Sequence, residues 1–84
     1  MDNWQISMKD KGKKLRVSTY SSDFEGVIET LIFGGEFYEV CLIDTEEIYD
    51  FPDNEGALCT SRRKAGRVKI RSDKIHHYEF LDES

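Results

Sequence analysis

Proline is almost missing from this chain: Pro52 is the only one in 84 residues. Because proline removes a ladder donor and cannot sit in a central strand, its scarcity leaves long stretches free to pair as sheet. Cysteine is sparse too, with Cys41 and Cys59 and no C-x-x-C spacing, so neither a disulfide framework nor a zinc ribbon is expected. His76 and His77 are adjacent, and neighbours on a strand point to opposite faces, so they cannot easily converge on one metal. There is no nucleophile elbow, and Gly34-Gly35 is followed by neither a lysine nor a helical stretch that would cradle phosphate. No catalytic residue, cofactor or metal site is therefore expected. No apolar run approaches the ~18–20 residues of a membrane span. Met1-Asp2-Asn3-Trp4 has no basic or apolar leader character, which predicts a reducing compartment, cytoplasm or nucleus, for the two thiols.

What is there is a small globular composition, 38% hydrophobic, 35% charged and 12% aromatic, of a size that fills one domain. The net charge is −5, and its distribution is uneven. Lys and Arg fall in two blocks, Lys9 to Arg16 and Arg62 to Lys74, whereas the stretch between them holds eleven acids, from Asp23 to Glu55, and no cation. Two solvated surfaces of opposite sign, or a basic strand face that meets an acidic neighbour in an oligomer, both fit that division.

The hydrophobic spacing reads as strand. Leu15, Val17 and Thr19 alternate with polar residues, Phe24 to Phe33 is β-branched and aromatic around Gly26, and Gly34-Gly35 offers a tight hairpin into Phe37 to Asp44. Gly26 marks a bend, since a residue without Cβ lets a strand curl. Over residues 45–66 the signal fades: Ile48, Tyr49 and Phe51 can prolong the third strand, Pro52 to Gly56 is turn chemistry, and residues 61–66 are too polar for a core. Val68 and Ile70 alternate with charged neighbours, and Ile75 to Leu81 forms a last strand. Residues 2–11 predict one helix, capped by Asp2 or Asn3, with Trp4 and Met8 at i,i+4 and Gly12 as its stop. The expectation is all-β: five bent antiparallel strands that close into a small barrel behind a short N-terminal helix, with Val17, Ile28, Leu42, Val68, Ile70 and Ile75 inside.

Gly12-Lys13-Lys14-Leu15-Arg16-Val17 followed by Phe24-Glu25-Gly26-Val27-Ile28 resembles the opening of the Sm and Sm-like fold. Leu42-Ile43-Asp44-Thr45-Glu46-Glu47 resembles the end of the first Sm motif, and Val68-Lys69-Ile70-Arg71-Ser72-Asp73-Lys74-Ile75 the second, with Ser72 where the family has glycine. On that resemblance residues 1–84 are a single Sm-like, SH3-like barrel domain: an arm or helix over 1–12, a first motif over 13–44, a variable loop over 45–66 and a second motif over 67–81. RNA-binding members carry Asp and Asn in the loop between strands two and three, and Ile32 to Phe37 has neither.

The resemblance extends to the Sm-fold Gemin proteins of the SMN complex, through residues 70–80 and a Met-x-x-Trp opening. It implies a non-catalytic subunit that pairs with another Sm-fold protein through the edges of strands four and five, in assembly of the spliceosomal snRNPs. The interface residues so implied are Val68, Ile70, Arg71, Ile75, His77, Tyr78, Glu79 and Phe80. An RNA-binding ring subunit is a second reading, with Arg71, Lys74 and Phe37 as the contacts. An SH3-type barrel that binds a peptide or the ribosome is a third.

Overall fold

The computed structural model describes residues 6–81. One antiparallel sheet contains strands β1 (Lys14–Ser18), β2 (Asp23–Gly34), β3 (Phe37–Pro52), β4 (Leu58–Arg71) and β5 (His77–Phe80), in the spatial order β4-β3-β2-β1-β5. β2 turns into β3 through Gly35, whose φ of 63° is the left-handed geometry glycine supplies at the start of a tight hairpin. Single 3-10 turns, Met8–Asp10 and Ser72–Lys74, precede β1 and β5.

Three strands kink at one level, and the kinks bend the sheet. Opposite Gly26 of β2, β3 has two residues, Asp44 and Thr45, because Glu25 pairs with Glu46 while Val27 pairs with Ile43. Asp44 takes up the irregularity with φ 52°, a conformation aspartate tolerates better than most side chains. Next to it, β4 is irregular around Gly66, at φ 70°, which pairs with Thr45. Bulges raise local twist and redirect a strand, and here three neighbours do so together.

The bend encloses a core of Ile6, Leu15, Val17, Ile28, Leu31, Val40, Leu42, Ile70 and Ile75, with Phe24, Tyr38, Val68 and Tyr78 packed against it. Each fully buried aliphatic side chain contributes roughly 1.5–3 kcal/mol. Five of the six residues expected inside are buried, and Val68 is half-buried.

The all-β architecture of five antiparallel strands is as the sequence predicts, with three differences. The sheet bends without closing: β4 and β5 are its two edges and do not pair. The N-terminal helix shrinks, among the described residues, to the 3-10 turn capped by Ser7, with Met8 exposed and Ile6 in the core; Asp2, Asn3 and Trp4 lie outside the described residues. Residues 45–66 are mostly strand. Past the Asp23–Ile48 pair, β3 and β4 continue as a two-stranded ribbon turning at residues 53–57, and the chain extends 44 Å along its longest axis. Polarity suits such a ribbon because both of its faces are wet.

Candidate protein-protein interface

The two free edges are chemically unlike. β5 lies against β1 with Leu15 opposite Phe80, Arg16 opposite Glu79, Val17 opposite Tyr78 and Ser18 opposite His77. The Leu81 N–H donates to the Lys14 carbonyl at 2.9 Å. Hydrogen-bonded pairs alternate along an antiparallel ladder, so Glu79 also turns its N–H toward β1, and Phe80 turns its N–H and C=O outward. Phe80 is 41% exposed, meets Tyr78 edge-on at 5.8 Å and carries the Lys13 ammonium 5.3 Å from its ring centre. His77 and Glu79 are exposed and Tyr78 is half-buried. Ile70 and Ile75 bury their side chains in the core, so only their main chain can reach a partner.

At the other edge, β4 carries the basic block. The structure joins that block to the acidic stretch within one molecule, where the sequence suggested separate surfaces or separate subunits. Arg16 bridges Asp23 and Glu25, and Arg62 bridges Glu25 and Glu46, so one chain of ion pairs crosses all four of β1 to β4. Arg67 meets Glu29 at 3.1 Å. Arg63 donates to Glu47 at 2.8 Å and lies over the Tyr49 ring, while Ser22 donates to the other Glu47 oxygen at 2.6 Å. Cross-strand register produces these pairs: Glu46 faces Lys64 and Glu47 faces Arg63, one residue from Arg62.

The Ser22 hydroxyl, and after it the Arg63 guanidinium, hold the Glu47 carboxyl below its usual range, and Arg71 does the same for Asp73. A carboxylate lowered in the folded state contributes stability that is complete above its unfolded value, about 4.3 for glutamate, and that is lost as pH falls through the folded value. The thermal midpoint is therefore expected to stay level from pH 7 to about 5 and to fall below about 4. Glu47→Gln should flatten part of that acid limb in melts followed by circular dichroism; an unchanged limb excludes Glu47 as a contributor.

Arg71 and Phe37 come together. The guanidinium lies 5.1 Å from the ring centre, and Nε and Nη2 donate to the two Asp73 oxygens at 2.7 and 2.9 Å. They line a hollow of about 190 Å³ with Ile32, Gly34 and Glu39. Ser72 accepts a hydrogen bond from the Tyr38 N–H at 3.2 Å and so ties the turn before β5 to β3. Lys74 borders a larger neighbouring cleft that Arg71 also lines. Both cysteines are free, and burial pushes the Cys41 thiol up, away from reactivity. Among the described residues no three His, Cys, Asp or Glu side chains converge as a metal site.

The sequence pointed to the final strand but missed two things. Which main-chain groups of β5 face outward depends on register with β1, which periodicity does not reveal. The cross-strand ion pairs depend on long-range pairing of residues 46–47 with 62–63. No family model matches this chain, and no curated protein matches it.

Proposed function

We propose that this chain is a non-catalytic, Sm-type protein-protein interaction subunit that pairs by its strand edges with another Sm-fold protein. The observation that carries the reading is the strand order β4-β3-β2-β1-β5, which leaves β4 and β5 as the two free edges of one bent sheet. An edge strand is a template for another strand, and a partner strand at β5 satisfies the outward N–H and C=O of Phe80 while covering its ring. The resemblance of residues 12–17, 24–28 and 68–75 to the Sm motifs supports this fold type, and the Gemin-like end suggests a role in SMN-complex assembly of snRNPs, in cytoplasm or nucleus.

The test is a proline placed by register. Phe80→Pro removes an N–H that faces away from β1, which an edge strand tolerates, and is expected to weaken association with an Sm-fold partner more than tenfold, above ~1.4 kcal/mol, relative to Phe80→Leu. Asp53→Lys at the ribbon tip should leave affinity within about twofold. Calorimetry against a panel of Sm-fold proteins measures both. A chain that binds none of them, or one indifferent to Phe80→Pro and sensitive to Asp53→Lys, sinks the reading.

The RNA-contacting alternative draws on the Arg71–Phe37 stack, since an arginine plane and an aromatic ring together can hold a base. Both Asp73 oxygens already occupy that guanidinium, and the loop lacks the family's Asp and Asn. Oligouridine binding is expected to be weaker than about 1 μM and to fall steeply with salt, as phosphate contact alone requires. Sub-micromolar, uridine-selective binding that Arg71→Ala abolishes favours the alternative instead.

A further inference from the structure

Between β4 and the β1–β2 turn lies a cleft of about 650 Å³. Its floor is apolar: Phe24, Val68 and Ile70, of which Phe24 and Val68 remain half-buried although they pack on the core. Its rim holds Tyr20, 84% exposed, together with Lys69 and Lys74.

The lysines at this rim differ from the arginines of the basic block. Arg62, Arg63, Arg67 and Arg71 each have a carboxylate partner within 3.2 Å. Lys64, Lys69 and Lys74 form no ion pair among the described residues, and of these Lys69 and Lys74 line the cleft. Asp73 lies near Lys74, but its two oxygens are engaged by Arg71. Among the described residues, Glu39 is the single carboxylate that lines the cleft. An apolar trough flanked by two uncompensated ammonium groups is thus continuous with the free β4 edge.

We propose that this cleft receives an extended, acidic strand of the partner, with an apolar side chain on the Phe24–Val68–Ile70 floor and flanking carboxylates on Lys69 and Lys74. The inference rests on the edge-pairing reading and adds the chemistry of the strand that pairs. The β4 main chain supplies affinity, the trough selects alternate side chains, and the lysines reject basic strands by like charge.

Residues 79–83 of this chain, Glu-Phe-Leu-Asp-Glu, have the required composition, so the probe is a capped synthetic peptide of that sequence. Its counterpart is Lys-Phe-Leu-Lys-Lys. The full chain is expected to bind the acidic peptide and not the basic one. Lys69→Glu/Lys74→Glu, at two exposed positions, should weaken the acidic peptide at least tenfold and admit the basic peptide instead, with an unchanged melting profile. Equal affinity for both peptides, or none for either up to about 1 mM, overturns the proposal. Sedimentation separates the two levels. Self-association or Sm-fold binding that the double reversal abolishes supports the acidic strand. Association that survives the reversal and is lost with Phe80→Pro keeps edge pairing and overturns the acidic strand.

Discussion

Replacing Gly26 with alanine is expected to lower the thermal midpoint by more than 10 °C. A Cβ built on Gly26 falls 2.6 Å from Thr45 Oγ1, 3.0 Å from the Ile43 carbonyl oxygen and 3.1 Å from Leu42 Cβ. Two of these neighbours cannot swing away: one is main chain, and Leu42 is fully buried. Thr45 is 2% exposed, and its hydroxyl has no hydrogen-bond partner among the described residues, so the site is already tight. Overpacking of this kind costs about 1–3 kcal/mol, and with three atoms crowding one carbon the upper end applies; at roughly 4–8 °C per kcal/mol in a domain of this size that exceeds 10 °C. Gly66→Ala is the control, because φ there is 70° but nothing lies within 4 Å of the added carbon. It should cost about 1 kcal/mol, the conformational penalty alone. If the two variants melt together, close approach at the kink is not what requires glycine at position 26.

Leu42→Ala is expected to cost 2–5 kcal/mol, approaching the whole stability of a domain this small. Leu42 is fully buried in the middle of β3, opposite Ile28 on one side and Val68 on the other, and the rigid sheet around it cannot collapse into the space left behind. Leu58, at the start of β4 on the projecting ribbon, is 74% exposed, and Leu58→Ala should change stability by no more than about 0.5 kcal/mol. Urea denaturation of both variants checks the contrast. A Leu42→Ala midpoint close to that of Leu58→Ala means that the core does not rest on the β3 centre.

The N-terminal segment shows how local spacing misleads. Trp4 and Met8 at i,i+4 suggested a helical face, but Met8 is 43% exposed and Ile6 is buried, because the chain is hooked onto β2: the Gly12 N–H donates to the Ile28 carbonyl at 2.8 Å, and the Ile28 N–H to the Lys13 carbonyl at 3.0 Å. A stretch of that length forms a helix only where packing supports one, and sheet contacts prevailed.

By itself the sequence determined the five antiparallel strands, the Gly34-Gly35 hairpin, the bend at Gly26 and most of the core, because these follow from period-two alternation and from what a missing Cβ permits, both local properties. Only the tertiary structure decided that Asp44 and Gly66 kink at the level of Gly26, that residues 46–47 and 62–63 neutralise one another, that β4 and β5 are the two edges of the sheet, and that Phe80 rather than Glu79 turns its N–H outward. Each depends on which residue of one strand lies opposite which residue of another. A one-residue shift of register would exchange every partner and face, and the composition of either strand would be unchanged.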